Sequence, residues 1–570
     1  MRAFVIILGA MLAGAAGVHA RPAPAPFDTV ITGGMIHDGT GAQPFRGWVA
    51  IRGDRIAAIG RGRAPAARTR IDAAGRAVSP GFINMLSWAT ESLIADGRAM
   101  SDTRQGVTLQ VMGEGWSMGP VSARMKEAGL RLQRDIRYDI EWSTLGGYLD
   151  WLARRGVTPN IASFVGATTV RIHVLGEEDV DPTPEQLASM RALVREAMDE
   201  GAMGVGSSLI YAPASYAETP ELVALASEAA RCGGGYISHM RSEGDRIEAA
   251  LEELIEIARR SGGWAEIYHL KLSGQPNWGK LPWLLGRIAA ARAEGLDIRA
   301  NMYVYTAGAT GLDASMPTWV QAGGEEAWVA RLKDPAIRAR VIAEMQAPPV
   351  GWENLFHNAG RDPSRLLFIG FRSERLRPLI GRTLAEVMAM RGTGPEETMV
   401  DLVAEDGSRV DTVYFLMSEE NVRAKAALPW VTLGSDAEAP AIEGVFLKSS
   451  YHPRAFGNVA RFLGRYVRDE KVTTLADAIR RLTWLPAQRL GIADRGRLAP
   501  GMMADIVVFN PATIADRATF QQPMQYAVGV EHVWVNGVQV LKDGEHTGAR
   551  PGRVVRGPGA GRCKAPAGSG

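Results

Sequence analysis

Short apolar runs alternate with amphipathic stretches through most of the chain. The clearest example is the segment 236–271, in which two apolar runs, 236–239 and 265–269, enclose a stretch whose apolar side chains recur at helical spacing. A strand, a helix and a second strand over about thirty-five residues form a βαβ unit, whose two strands lie parallel. The pattern therefore predicts two parallel strands, each with a histidine at its C-terminal end: His239 and His269.

The same alternation predicts eight strands with helices between most neighbours. They are 78–86, 107–114, 160–165, 202–207, 236–239, 265–269, 298–303 and 430–436. Eight βα units are typical of a (β/α)8 TIM-like barrel of the α/β class, which carries its active site at the C-terminal ends of the strands. We assign residues 81–495 to this barrel. The connection before the last strand is too long for a loop, so we expect an inserted lid subdomain over about 310–425.

Two blocks of short, strand-like sequence bracket the barrel. The first, 21–80, has Gly-Asp, Asp-Gly and Gly-Gly pairs between runs rich in Val and Ile, and the second, 496–545, repeats this character. Asn536-Gly537 in the second block is a strong hairpin signal. We predict a small β-sandwich built from both ends of the chain. Residues 546–570 have no apolar period, and we expect them to be disordered.

The net charge and the cysteine count exclude some classes of function. The chain has 570 residues, 46% of them hydrophobic, and a net charge of +2, which does not suggest a nucleic-acid or membrane-surface partner. Its two cysteines, Cys232 and Cys563, exclude a disulfide framework. We expect no bridge between them either, and interpret Cys232 as a small buried hydrophobic residue.

The first twenty residues resemble an export signal. Arg2 precedes a short apolar run, and Val18-His19-Ala20 offers small residues at a cleavage site. The alternative is a membrane anchor, but the run is shorter than the roughly twenty residues needed to span a bilayer. We predict a signal peptide over 1–20 and an exported protein, periplasmic or secreted, with no membrane contact after the signal is removed.

Metal-compatible side chains end four of the predicted strands: Glu114, His239, His269 and Asp436. Each alone is ordinary, because charged residues often end strands and face water. Together they converge on the rim where barrels of this kind carry out chemistry. Two imidazoles and one carboxylate leave a coordination position open, as in catalytic zinc sites, and the other carboxylate can move a proton.

Longer motifs indicate a family. VITGGMIHDGTG, PGFIN, GVTLQVMGEG, ISHMRSEGD, YHLK, LGSD, HPRAFGNVARFLG and PGMMADIVVFNP occur in order along nearly the whole chain after the signal. With these motifs the chain resembles the amidohydrolase superfamily, and within it the N-acyl-D-amino-acid deacylases (D-aminoacylases). The resemblance implies a barrel with a β-sandwich, a metal site, and hydrolysis of an amide on a small-molecule D-amino-acid derivative.

The resemblance also assigns roles to residues. His239 and His269 match the metal-binding histidines of strands five and six, and Asp436 matches the catalytic aspartate of strand eight. Lys271 and Arg454 match positions that hold the substrate carboxylate, a role suited to fixed cations. For Arg454 the alternative is a structural salt bridge to the lid.

Two tyrosines, Tyr211 and Tyr303, match residues that contact substrate or polarise the scissile carbonyl. Aromatic packing is the equally simple structural explanation for both.

The chain departs from the family pattern at two places. Where strand one normally carries His-x-His, it has Leu86, Ser87 and Trp88, so the first position of a two-metal site is missing. Where the deacylases offer a cysteine ligand after strand two, it has Glu114, which is the best substitute, as a direct ligand or as a bridge. We therefore expect one Zn²⁺ per chain, held by Glu114, His239 and His269.

Three interpretations remain open. The first is a one-metal deacylase of N-acyl-D-amino acids with Asp436 as general base and acid. The second is the same catalyst acting on another substrate, such as a D-amino-acid dipeptide, a cyclic amide or a lactone. The third is an exported binding protein that has lost hydrolysis. The oligomeric state is not predicted.

Overall fold

The computed structural model describes residues 26–564. The predicted signal peptide, 1–20, lies outside the described residues.

Eight parallel strands form the central barrel, and all eight lie within or close to the predicted runs. In chain order they are Phe82–Asn84, Val107–Met112, Asn160–Ser163 (continued by Val165–Gly166), Gly204–Ser208, Gly235–His239, Ala265–Ile267, Ile298–Met302 and Val431–Leu433. Strand eight returns to strand one, because Met85 N–H donates to the Leu433 carbonyl at 3.0 Å and Ser87 pairs with Ala437. The α/β barrel class is thereby confirmed.

Helices connect the strands and cover the outside of the barrel. Those of the barrel are Thr90–Ala95, Met100–Thr103, Ala123–Leu132, Leu145–Arg155, Ala167–Leu175, Pro184–Asp199, Thr219–Arg231, Ile247–Ser261, Leu281–Ala293, Glu419–Ala426, Arg454–Arg461, Leu475–Leu482 and Trp484–Arg489. A π-helical segment, Phe462–Asp469, extends the first helix after strand eight. Within residues 26–564 no helix has the length and apolarity to cross a membrane.

The βαβ unit at 236–271 forms as the apolar pattern predicts. Strands five and six are parallel neighbours, with Ser238 opposite Ile267. The helix between them buries Leu251, Leu254 and Ile255, residues of the largest apolar core. This unit fixes the spacing of the two histidines that follow.

Both ends of the chain contribute to one nine-stranded sheet beside the barrel. Its strands are Phe27–Ile36, Phe45–Arg52, Arg55–Gly60, Ala67–Asp72, Ala77–Pro80, Ile506–Phe509, Val530–Val535, Val538–Lys542 and Glu545–His546. The two halves join where Ile506–Phe509 pairs antiparallel with Ala77–Pro80. The Asn536-Gly537 turn forms with positive φ at both residues, as a tight hairpin requires.

The segment between strands seven and eight folds over the barrel with a core of its own. It contains a three-stranded sheet and several helices: Ala307–Gly311, Leu366–Gly370, Asp411–Phe415, Glu325–Leu332, Pro335–Gln346, Leu355–Asn358, Leu384–Arg391 and Pro395–Asp406. Phe356, Phe368 and Tyr414 are fully buried in its centre. The insertion is therefore a packed subdomain, called the lid below.

The prediction of a disordered tail over 546–570 is wrong for residues 546–564, which pack against the N-terminal end of the barrel. Gly552 N–H donates to the Val157 carbonyl and Gly557 N–H to the Gly201 carbonyl, each at 2.8 Å. An added Cβ at Gly557 would lie 2.3 Å from the Ala202 carbonyl oxygen, so this approach requires glycine. The tail lacks an apolar period because it docks through its backbone, which glycine allows to come close to the barrel. Residues 565–570 lie outside the described part of the chain.

The two cysteines are joined, which corrects the expectation of no bridge and of Cys232 as an isolated buried residue. Cys232 and Cys563 form a disulfide with their Cα atoms 5.5 Å apart, although 331 positions separate them in the sequence. Cys232 follows the helix before strand five, so the bridge fastens the tail to the N-terminal end of the barrel. Nothing in the spacing of two distant cysteines could reveal this contact.

Candidate metal and active site

Glu114 is carried into the barrel mouth by a turn that only glycines can form. It stands between Gly113 and Gly115, whose φ angles are +103° and +70°. An added Cβ at Gly113 would lie 2.3 Å from the Phe164 carbonyl oxygen, and one at Gly115 would lie 2.3 Å from Ser208 Oγ. The backbone therefore runs tightly between its neighbours and leaves the Glu114 side chain 4% exposed.

The two histidines meet at the ends of strands five and six. His239 is the last residue of its strand, and His269 lies two residues beyond Ala265–Ile267 in the left-handed region, at φ +34°. Asn301 stabilises this unusual backbone, because its Oδ1 accepts the His269 N–H at 2.8 Å. The ring centroids are 4.5 Å apart, and the rings are perpendicular.

One carboxylate oxygen faces both rings. Glu114 Oε1 lies 3.2 Å from His239 Nδ1 and 2.8 Å from His269 Nε2. The ligand atoms of these three buried residues all lie within 4.8 Å of one another. Burial alone would raise the pKa of Glu114, but the His269 charge and the His239 contact hold it well below its usual range. The carboxylate is thus ionised and directed at two nitrogen donors.

Glu243 lies on the opposite side of the two rings. Its oxygens are 3.5 Å from His239 Nε2 and 3.0 Å from His269 Nδ1, so it faces the nitrogens that do not point at Glu114. Lys271 Nζ donates to both Glu243 oxygens, at 2.7 and 2.8 Å. Despite burial, the charges of His239, Lys271 and His269 lower the pKa of Glu243. A carboxylate behind metal-binding imidazoles orients the rings and increases their basicity.

Asp436 approaches from strand eight. It too has a left-handed backbone, at φ +51°, and its N–H donates to the Leu86 carbonyl at 2.9 Å, across the seam that closes the barrel. Its carboxylate pairs with Arg454 at 2.7 Å. Burial raises the pKa of Asp436; Arg454 opposes that rise and the Glu114 charge adds to it.

Comparison with known proteins fits this geometry. The model of the amidohydrolase family matches residues 69–541. The chain belongs to the amidohydrolase family. A D-aminoacylase from Alcaligenes xylosoxydans xylosoxydans is 34% identical over 93% of this chain and 98% of its own.

Solved structures place the chain in the same branch of the amidohydrolases, that of the D-aminoacylases. A D-aminoacylase with a binuclear metal centre, described as showing one-metal activation and second-metal attenuation, superposes with a TM-score of 0.77 at 32% identity, covering 93% of this chain and all of the other. An N-acyl-D-glutamate deacylase from Bordetella bronchiseptica, complexed with zinc and a phosphonate mimic of the tetrahedral intermediate, gives 0.76 at 30% identity with the same coverage.

All eight residues predicted for the site of this amidohydrolase line one cavity of about 710 Å³ between the barrel mouth and the lid: Glu114, Tyr211, His239, His269, Lys271, Tyr303, Asp436 and Arg454. The volume lies in the ordinary range for small-molecule sites. Arg454, one of the two cations in this set, pairs with Asp436 and not with a carboxylate of the lid. Its Nη2 also donates to the Ala309 carbonyl of the lid at 3.3 Å.

The two tyrosines lie on either side of the histidine pair. The Tyr211 ring centroid is 5.3 Å from that of His239, and the Arg409 guanidinium of the lid lies 5.1 Å from the Tyr211 ring. Tyr303 is 3% exposed, and its hydroxyl has no hydrogen-bond partner among the described residues. Arg454 lies 4.6 Å from the Tyr303 ring. Aromatic packing accounts for the ring of Tyr303 but not for its unpaired hydroxyl.

Sequence reasoning missed two contacts in the site. Glu243 stands four residues after His239 in ISHMRSEGD, and that proximity to a strand-end histidine was a usable signal. For Trp88 the sequence indicates only that the residue cannot bind metal. Its indole N–H donates to Glu114 Oε2 at 2.8 Å, a contact that no sequence pattern reveals.

Proposed function

We propose that this amidohydrolase is a zinc-dependent deacylase of N-acyl-D-amino acids. The observation that carries the proposal is the convergence of Glu114, His239 and His269 on one point, in the same cavity as Asp436 and Arg454. Support comes from relatives described as D-aminoacylase, N-acyl-D-glutamate deacylase and N-acyl-D-aspartate deacylase, each covering more than nine-tenths of this chain.

The donor set fits zinc. Two imidazole nitrogens and one carboxylate oxygen are the ligands of many catalytic zinc sites, and three protein ligands leave a position for water or substrate. Glu243 faces the second nitrogen of each ring, which is the arrangement that orients metal-bound histidines. A bound zinc ion would supply Lewis acidity, activating both water and the amide carbonyl.

Asp436 would act as the proton carrier. As a carboxylate it accepts a proton from the water that attacks the amide carbon, and as a carboxylic acid it returns that proton to the departing nitrogen. The raised pKa of Asp436 suits the second half of the cycle, because the acid form must persist long enough to donate its proton. The charge of Arg454 keeps enough of the carboxylate ionised to begin the cycle.

Arg454 and Tyr303 would hold the substrate. The unpaired Tyr303 hydroxyl can donate to an oxygen of the amide or of the carboxylate. The Arg454 guanidinium, already beside that ring, can share its donors between Asp436 and a substrate carboxylate. Lys271, paired with Glu243 and 2.7 Å from His269 Nδ1, would mainly support the metal ligands.

The test is an assay of enantiomeric pairs. Purified protein with zinc should hydrolyse N-acetyl-D-amino acids and leave the L forms essentially untouched. D,D- and L,D-dipeptides serve as the comparison arm. Faster turnover of the dipeptides would favour the dipeptidase interpretation, and equal rates on both N-acetyl enantiomers would contradict a D-aminoacylase. Absence of all hydrolysis by zinc-loaded protein would favour a binding protein.

We further propose that the protein is exported. The sequence of residues 1–20 supports this proposal, and so does the Cys232–Cys563 bridge, because disulfides persist in oxidising compartments and are rare in the cytosol. Fractionation followed by N-terminal sequencing should find a mature chain beginning near Arg21 outside the cytoplasm. A full-length cytoplasmic chain with both thiols open to alkylation would contradict export.

A further inference from the structure

The two oxygens of Glu114 have different surroundings. Oε1 faces the imidazoles of His239 and His269, at 3.2 and 2.8 Å. Oε2 accepts the indole N–H of Trp88 at 2.8 Å. An oxygen that accepts a hydrogen bond from a fixed donor is oriented by that donor, so the indole determines which oxygen is presented to the histidines.

Trp88 is itself held in place. Its backbone N–H donates to the Ala437 carbonyl at 3.0 Å, and the preceding Ser87 pairs with Ala437 where strands one and eight meet. The side chain is half-buried and lines the cavity. The indole therefore reaches Glu114 from a backbone fixed by the barrel seam.

No second set of metal ligands accompanies this arrangement. Among residues 26–564, the trio of Glu114, His239 and His269 is the only group of three or more acidic, histidine or cysteine side chains close enough to share an ion. On the Oε2 side Glu114 meets the indole of Trp88, which donates a hydrogen bond and offers no metal-binding atom.

We infer that Trp88 is a positioning residue that restricts the centre to a single ion: its indole fixes Glu114 as a one-oxygen ligand and occupies the side on which a second ion would need a donor. The inference rests on the proposed zinc site but not on any particular substrate. It distinguishes this chain from the D-aminoacylase described as having a binuclear centre with second-metal attenuation. Excess zinc should therefore not load a second position here.

Metal binding tests the inference without an activity assay. Metal-free full-length protein is titrated with Zn²⁺ against a competing chelator, and the number of ions and the affinity are measured for wild type, Trp88→Phe and Trp116→Phe. Trp116→Phe is the matched control, since that indole lines the same cavity and is 39% exposed. Wild type and the control should bind one ion with equal affinity. Trp88→Phe should bind one ion about ten- to a hundredfold more weakly, as expected for loss of a contact behind a ligand.

Two further measurements keep the result interpretable. The visible spectrum of Co²⁺-loaded protein should change in Trp88→Phe and not in Trp116→Phe, because only the former alters the orientation of Glu114. The double variant Leu86→His, Trp88→His should bind a second ion. Two ions in the wild-type protein, or an unchanged affinity and spectrum in Trp88→Phe, would overturn the inference. One-ion binding with these effects but no deacylation would leave it standing and reject the proposed substrate class instead.

Discussion

The two ends of the barrel are built in opposite ways. At the C-terminal end, buried charges face one another, and His269 and Asp436 hold left-handed backbone conformations that few non-glycine residues adopt. At the N-terminal end, the tail docks through backbone hydrogen bonds and the Cys232–Cys563 bridge. The C-terminal end holds the buried charges and the unusual backbone conformations, whereas the N-terminal end holds the hydrogen bonds and the disulfide that fasten the tail. We conclude that chemistry and stability are separated along the barrel axis, as is general for this fold.

The largest effect should come from removing a metal ligand. His239→Ala deletes one of three ligands, so the variant should lose both bound zinc and turnover while the disulfide end stays intact. Metal analysis and an assay on the same preparation measure both quantities. Retention of one zinc per chain with full activity would show that the trio is not the metal site.

Asp436→Asn should separate metal binding from turnover. The amide preserves the shape of the side chain but cannot accept the proton, so kcat should fall by about a hundred- to ten-thousandfold. Zinc content should remain that of the wild type, because Asp436 is not one of the three convergent residues. Turnover within a few-fold of wild type would exclude Asp436 as the proton carrier.

Removing the disulfide at the N-terminal end of the barrel should lower the stability of the protein and leave its turnover unchanged. Replacing both cysteines by serine frees the tail at Cys563 and should lower the free energy of unfolding by about 2–4 kcal/mol. Thermal or denaturant unfolding measures this loss, and kcat at 25 °C should be unchanged. A large loss of activity in a folded variant would contradict the separation of the two ends.

The smallest effect should be a shift in the pH dependence of kcat/KM. Asp436 must be deprotonated to accept a proton, so kcat/KM should fall as the pH drops through its pKa, which burial raises above the ordinary value of about 3.9. Arg454→Met removes the cation that opposes this rise, so the acidic limb should move to higher pH. The position of the limb, not the absolute rate, is the readout, because Arg454 also faces substrate. A limb that stays in place would mean that Arg454 does not tune Asp436.

The sequence was sufficient for what depends on local pattern. Alternating apolar runs located all eight barrel strands, and the βαβ unit at 236–271 placed His239 and His269 on neighbouring strands. The hairpin at Asn536-Gly537 follows from turn chemistry alone. These features are set within a few residues or by a repeated period.

What could not be predicted depends on contacts between distant parts of the chain. The Trp88 contact with Glu114 joins the segments that follow strands one and two, through side chains whose directions the sequence does not fix. The tail has no apolar period because it binds through its backbone, with glycines where side chains would clash. The Cys232–Cys563 disulfide forms because the docked tail brings the two cysteines together. Since the docking could not be predicted, the disulfide could not be predicted either.

A zinc reconstitution series tests the central claim most directly. Metal-free protein receives increasing Zn²⁺, and the hydrolysis of an N-acetyl-D-amino acid is followed at each step. The one-ion centre of Glu114, His239 and His269 predicts activity that rises linearly to one equivalent per chain and then stays level. Full activity without metal, or a maximum reached only at two equivalents, would contradict it.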